Sequence, residues 1–102
     1  MADFLLPIGS VVSLNKGNKK LMVIGVKQME SANPERIYDY LGVVYPEGFV
    51  GENAVFLFDH KDILDIIYTG YKNSEYENFN VLLSKIEEKM VNKHLEKHET
   101  KV

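Results

Sequence analysis

Two histidines and three aspartates are the side chains whose spacing could support metal binding. His94 and His98 stand four residues apart, which would place both imidazoles on one face of a helix. The glutamate of the His-Glu-x-x-His zinc pattern is not in place between them. Asp59, Asp62 and Asp65 recur at every third residue, but the glycine and flanking oxygen ligands of a calcium loop are absent. We therefore predict no metal site.

Patterns for catalysis and for nucleic-acid binding are equally weak. The sequence contains no glycine-rich phosphate loop and no local Ser-His-acid motif, so we predict no catalytic residue and no cofactor. Tyr38, Tyr40, Tyr45 and Tyr68 could form an aromatic platform for single-stranded nucleic acid or a peptide. The net charge of −3 opposes contact with phosphates, so packing between neighbouring strands is the favoured role of these rings.

The composition is that of a small globular protein. A chain of 102 residues is enough for one domain with a modest core, and 45% hydrophobic with 26% charged residues is ordinary for such a domain. There is no cysteine, which excludes disulfides and thiolate metal sites and is typical of a reducing compartment. The longest apolar runs, such as residues 21–26, are too short to span a bilayer, and the start does not resemble a secretory signal. We therefore predict a cytoplasmic protein without membrane insertion.

Five segments are rich in β-branched and aromatic residues, which is the composition of β-strands. Turn-forming residues separate them from one another. The predicted strands cover residues 9–14, 20–29, 36–45, 54–58 and 63–69. The third is followed by a predicted loop at residues 46–53, which opens with a Pro-Glu-Gly turn. The fifth could instead be a helix with a stripe of Ile63, Ile66 and Ile67, but its Ile, Tyr and Thr content favours a strand. A helical turn is expected before it, with Asp59 as the N-cap.

Glycine and proline mark the expected irregularities. Gly25 is predicted to lie at a bulge or bend in the second strand, and Gly42 at a bulge or bend in the third. Gly48 closes the Pro-Glu-Gly turn and is expected to have a positive φ. Residues 30–35 are predicted to form a polar loop, in which Pro34 keeps the preceding residue extended.

The clearest pattern is a C-terminal amphipathic helix. Ser74 and Glu77 are predicted to form its capping box, and apolar residues follow at helical spacing. The helix is expected over residues 74–94 and a flexible tail over residues 95–102. The whole chain is therefore predicted to be a single α+β domain. Residues 6–71 would form a small five-stranded antiparallel bent sheet or an SH3-like barrel, followed by the helix.

The same helix is a candidate for partner binding. Its inner stripe of Phe79, Leu82 and Ile86 is predicted to pack on the sheet. A small sheet cannot cover a helix of this length, so the outer apolar residues are predicted to bind a partner or a second copy. Those outer residues are Leu83, Met90, Val91 and Leu95.

A second candidate surface is the loop after the third strand. It carries Phe49 and Val50, two apolar residues among turn-forming neighbours. Such residues usually cap a core, and that role is the favoured one here. If they are exposed, they add to the partner-binding surface instead.

Several blocks of the sequence resemble one known family. They are LPIGSVV at residues 6–12, KLMVIG at 20–25, YDYLGVVYPEG at 38–48 and FDHKDI at 58–63, with a Tyr-Thr-Gly-Tyr end. In this order they resemble the DUF4176 family over about residues 6–71. That family is similar to small proteins encoded in the type VII secretion loci of Firmicutes, beside LXG-type toxins. The resemblance implies an accessory role, such as a cytoplasmic chaperone or targeting partner of a secreted effector, and supplies no catalytic residue.

Two functions from different classes follow as expectations. The first is a non-enzymatic, cytoplasmic, chaperone-like binding protein for a type VII secretion substrate or its helical partners, with a homodimer as a further option. The alternative is an SH3-like module that binds nucleic acid or a polymerase, and the net charge of −3 disfavours it.

Overall fold

The computed structural model describes residues 5–86, in which the chain forms two compact units. The first unit, Leu5–Tyr71, contains all the strands, and the second, from Lys72 onward, contains a helix, α1, described from residue 74 to residue 86. The strands are β1 (Val11–Leu14), β2 (Leu21–Glu30), β3 (Asn33–Val44), β4 (Val55–Phe58) and β5 (Ile63–Tyr68). Three-residue 3-10 turns, Glu52–Ala54 and His60–Asp62, precede β4 and β5.

The five strands form one antiparallel sheet in the order β4-β3-β2-β1-β5. The first four strands follow one another as a meander, and β5 returns to pair with the outer edge of β1. No ladder joins β4 to β5 in the described part of the chain, so the sheet is open. This confirms the predicted α+β class with a five-stranded antiparallel sheet and a following helix. The strand interpretation of residues 63–69 is also confirmed.

The short connection between β4 and β5 requires a strongly curved sheet. In a flat sheet, the two edge strands would lie at least about 19 Å apart, because four interstrand spacings of about 4.8 Å separate them. Five backbone steps join Phe58 to Ile63, and three of the intervening residues form a 3-10 turn. Such a connection spans only about 13 Å. The sheet must therefore curl until its two edges approach each other, as the bent-sheet prediction requires.

The core of this curved sheet is built around a buried tyrosine. Its main cluster consists of Val12, Leu21, Val23, Tyr40 and Phe58. Tyr40 and Phe58 are directly paired across β3 and β4, with ring centroids 5.4 Å apart. The predicted packing role of the tyrosines is thus confirmed for Tyr40. Its hydroxyl oxygen also accepts a 3.0 Å hydrogen bond from the Leu6 N–H, which fixes the segment before β1 to β3.

The predicted irregularity in β2 is present, and it explains a glycine in β3. Val23 pairs with Gly42 and Gly25 pairs with Leu41, so Ile24 is an extra residue and β2 has a bulge, as predicted. The shift lies between the Val23–Gly42 and Gly25–Leu41 pairs, so Gly42 is next to the bulge, although the extra residue belongs to β2. A Cβ atom at Gly42 would lie 2.9 Å from Phe58 Cε1 and 3.2 Å from the Met22 carbonyl oxygen. Close packing against Phe58 and the Met22 carbonyl therefore requires glycine at this position.

Two predicted boundaries are wrong. Glu30 pairs with Asn33 across a two-residue turn, so residues 30–35 belong mostly to the β2–β3 hairpin and not to a loop. The third strand ends at Val44, just before the predicted loop at residues 46–53. The cap of α1 is Asn73, whose Oδ1 accepts a 3.0 Å hydrogen bond from the Tyr76 N–H. Asn is as good an N-cap as Ser. Ser74 is therefore the first residue of the helix and not its cap, so the predicted capping box of Ser74 and Glu77 is wrong.

The positive φ at Gly48 can be tested directly by mutation. Gly48 has a φ of +82°, as predicted, and a Cβ atom there would meet nothing within 4 Å. Gly48→Ala should therefore lower the free energy of unfolding by about 1 kcal/mol through backbone strain alone. Chemical denaturation monitored by circular dichroism measures the difference.

The control for this test is Gly17→Ala in the β1–β2 turn. Gly17 is not among the residues with positive φ, and the nearest contact of an added Cβ atom would be 3.6 Å. We expect no loss of stability there. Equal unfolding midpoints for the two variants would show that the Gly48 turn does not need a positive φ.

Candidate functional site

The loop after β3 has a well-defined backbone. The Tyr45 N–H donates to the Lys20 carbonyl at 2.9 Å, and the Gly48 N–H donates to the Val44 carbonyl at 2.8 Å. Lys19 and Glu47 form a 2.9 Å ion pair over this turn, and this hydrogen-bonded pair lowers the pKa of the Glu47 carboxyl. The path of the chain that leads to residues 49 and 50 is therefore fixed by backbone hydrogen bonds.

This loop presents two apolar side chains to solvent. Phe49 is 64% exposed and Val50 is 61% exposed. The prediction that they cap the core is therefore wrong. The structure instead agrees with the other alternative, an exposed apolar pair of the kind that marks an interaction surface. The turn signals around them, Pro-Glu-Gly and Gly51, are consistent with this outcome because they keep the loop at the surface.

A second apolar surface lies along β5, at one edge of the sheet. Leu64, Ile66, Ile67 and Tyr68 are between 47% and 62% exposed. The pairing with β1 shifts register twice, which leaves Leu64 and Ile67 as extra residues in β5. The strand was predicted from the sequence, but this surface was not. The signal was present, because apolar residues occupy both alternating sets of positions in a strand with one charged residue, Asp65.

A third apolar surface lies on α1. Phe79, Leu82 and Ile86 are 46%, 52% and 43% exposed, and their packing on the sheet stays a prediction. Leu83, predicted as an outer partner-binding residue, is half-buried. The other predicted residues of that surface, Met90, Val91 and Leu95, lie outside the described residues, as do His94 and His98.

A polar cluster holds the corner between β4 and β5. The Asp59 carboxylate accepts a 2.7 Å hydrogen bond from the Arg36 guanidinium and a 3.1 Å bond from the Asp39 N–H. Asp59 is the N-cap residue of the following turn, as predicted, and its N–H donates to Asp62 Oδ2 at 3.0 Å. Asp65 instead lies in β5, paired with Ser13. Among residues 5–86, no three His, Asp or Glu side chains form a group that could hold a metal ion.

The cluster continues through Asp39 and His60. Asp39 accepts hydrogen bonds from the Lys27 ammonium at 3.2 Å and from the His60 N–H at 3.0 Å. The Tyr40 hydroxyl lies 2.8 Å from His60 Nδ1, and since it accepts from Leu6, its own proton can be donated to that nitrogen. Lys27 has a φ of +51°, which could not be predicted from the sequence because nothing in the residue type signals it. These bonds join β2, β3 and the β4–β5 turn, so the role of the cluster is structural.

Asp59 is ionised more readily than an ordinary aspartate. Burial is the largest single influence and opposes ionisation, since only 12% of the side chain is exposed. The hydrogen bonds from Arg36 and the Asp39 N–H, together with the positive charges of Arg36 and Lys61, outweigh it. The pKa of Asp59 is therefore below its ordinary value, and the same hydrogen bond raises the pKa of Arg36.

An open five-stranded antiparallel sheet followed by one helix places the chain among small α+β proteins. The model of one family, described as a domain of unknown function (DUF4176), matches residues 5–79. The chain belongs to this family, which confirms the resemblance found in the sequence. No curated protein and no solved structure matches the chain. No helix within the described range 5–86 is long and apolar enough to cross a membrane.

The buried carboxylate predicts a pH-dependent stability. Asp59→Asn should lower the free energy of unfolding at pH 7 by about 1.5–3 kcal/mol, the value of a hydrogen bond to a charged group. The folded-state pKa is lowered, so this stabilisation is fully present above the unfolded-state pKa of about 3.9 and is lost as the pH falls through the folded-state value. The difference between the two proteins should therefore shrink as unfolding is measured at successively lower pH below about 3.9.

Glu47→Gln is the matched control, since it removes a carboxylate from an ion pair whose two side chains are 47% and 48% exposed. We expect no measurable change in stability for it at pH 7. A difference between wild type and Asp59→Asn that stays constant down to the lowest pH would contradict the assigned role of the ionised carboxylate.

Proposed function

We propose that this chain is a non-enzymatic accessory protein that binds a protein partner through the loop of Phe49 and Val50. The observation that carries the proposal is the exposure of both side chains, 64% and 61%. Backbone hydrogen bonds fix the turn that leads to them. An exposed aromatic residue next to an exposed aliphatic one is the kind of anchor that fills a pocket on a partner.

The fixed loop makes the anchor effective. Burying a Phe or Val side chain on association contributes about 1.5–3 kcal/mol each. A loop that is already ordered loses little conformational freedom on binding, so more of this gain appears as affinity. The nearby charges of Lys19 and Glu47 are paired with each other, so the partner does not have to compensate an isolated charge there.

The family membership suggests the system in which such a partner would be found. We propose that the chain works in the cytoplasm, as a chaperone-like partner of a type VII secretion substrate such as an LXG-type toxin, or of that substrate's helical targeting partner. This follows from the family resemblance. The net charge of −3 supports a protein partner over nucleic acid, because phosphate contacts need a basic surface.

The test compares wild type with Phe49→Ala/Val50→Ala. Each tagged protein is recovered from the cytoplasm of its own organism, and the bound proteins are quantified by mass spectrometry. The protein most enriched by wild type is then purified and its affinity measured by calorimetry. The variant should keep the wild-type circular dichroism spectrum and bind this protein at least about 10-fold more weakly, as expected for loss of two anchor residues.

Ile8→Ala is the matched control, since Ile8 is 55% exposed on the segment before β1. It removes apolar surface of similar size from a different place and should leave the affinity unchanged. Equal affinities for the loop variant and wild type would refute the assignment of this surface. Recovery of nucleic acid in place of a protein, with binding that weakens as salt is raised, would favour the alternative module.

A further inference from the structure

The turn between β1 and β2 carries a group of lysines. Residues 15–20 include three lysines and no acidic residue. Lys16, Lys19 and Lys20 are all exposed. Lys19 forms the 2.9 Å ion pair with Glu47, whereas Lys16 and Lys20 form no ion pair with any carboxylate of residues 5–86. Two positive charges on this turn are therefore available to a partner.

This turn lies directly beside the segment that leads to the Phe49–Val50 loop. The Tyr45 N–H donates to the Lys20 carbonyl at 2.9 Å, so the end of the turn and the start of the loop segment are joined by their backbones. The ion pair between Lys19 and Glu47 joins the same two segments through their side chains. The lysines of the turn therefore stand at the rim of the surface that the loop offers.

Carboxylates of the loop segment do not cancel this positive charge. Residues 15–20 and 45–53 together hold three lysines against two glutamates, Glu47 and Glu52. The local excess is positive, although the net charge of the whole chain is −3. Exposed charges farther apart than about 8 Å are largely screened at physiological ionic strength, so a docked partner responds to the charges nearest to it.

We propose that the partner of this loop carries acidic residues beside the pocket that receives Phe49 and Val50, and that Lys16 and Lys20 attract them. The inference rests on the proposed function, because it concerns the same surface. Opposite charges at the rim of an interface speed association, whereas loss of a buried anchor mainly speeds dissociation. The two lysines and the two apolar side chains therefore have separate kinetic roles.

An acidic protein fits this surface better than a nucleic acid does. A nucleic acid carries a negative charge at every phosphate and needs a continuous basic surface. Glu47 and Glu52 stand on either side of Phe49 and Val50 in the sequence, where they would repel a chain of phosphates. A folded protein can instead place single carboxylates opposite the lysines and keep its other charges away from the glutamates.

The test measures association and dissociation rates with the purified partner protein that wild type enriches. Lys16→Glu/Lys20→Glu should associate about 10-fold more slowly than wild type at about 0.1 M salt, with the dissociation rate changed less than about twofold. The difference should nearly vanish at about 1 M salt, where the Debye length is about 3 Å. Phe49→Ala/Val50→Ala should instead dissociate faster at both salt concentrations.

Two controls separate charge from shape and position. Lys16→Arg/Lys20→Arg keeps both charges and should associate as wild type does. Lys72→Glu has the same change in charge as Lys20→Glu, but Lys72 is exposed and follows Tyr68, which pairs with Val11 at the end of β1 away from the turn. Lys20→Glu should slow association about threefold and Lys72→Glu not measurably. Each variant should keep the wild-type circular dichroism spectrum.

The outcomes distinguish this inference from the proposed function. A wild-type association rate that does not fall as salt is raised would overturn the inference without any variant. Equal association rates for wild type and Lys16→Glu/Lys20→Glu, or equal slowing by Lys20→Glu and Lys72→Glu, would overturn it too. If the loop variant still dissociates faster in those cases, the proposed function stands. A loop variant with wild-type rates, or recovery of nucleic acid in place of a protein, would overturn both.

Discussion

The three-residue turn between β4 and β5 is the constraint on which the architecture depends. β4 and β5 occupy opposite ends of the strand order, yet the chain passes directly from one to the other through His60–Asp62. The connection is too short for a flat sheet, so the β2–β3 hairpin and its neighbours must curl. Curvature in turn encloses the core around Tyr40 and brings the turn to the end of β1, where the Asn15 N–H donates to the Asp62 carbonyl at 3.0 Å.

Polar groups hold this turn where apolar packing alone could not specify its position. Asp59 and Tyr40 are both buried, and each is satisfied by partners from a different segment: Arg36 and Asp39 for the first, Leu6 and His60 for the second. Among residues 5–86, no buried side-chain nitrogen or oxygen lacks a hydrogen-bond partner. A displaced turn would leave several of these groups desolvated and unpaired, so the cluster selects one arrangement of the corner.

The sequence predicted what local chemistry determines and missed what tertiary contacts decide. Composition and turn residues were sufficient for the strands, for the Gly25 bulge and for the positive φ of Gly48. They failed at residues 30–35, where strand pairing extends the hairpin through residues that look like a loop. They also gave no sign that the ring of Phe58 packs against Gly42 and excludes a side chain there. Of the candidate surfaces, Phe49 and Val50 were identified but assigned first to the core, because exposure depends on where the finished sheet ends.

The bulges in β5 also affect whether further chains can add to this edge of the sheet. An apolar edge strand with an unbroken ladder can recruit one chain after another, and the product is a filament. The extra residues Leu64 and Ile67 interrupt the ladder of β5 twice in six residues. An incoming strand therefore meets no regular ladder to which it could add. The exposed apolar residues of β5 therefore do not form a regular template on which a filament could grow.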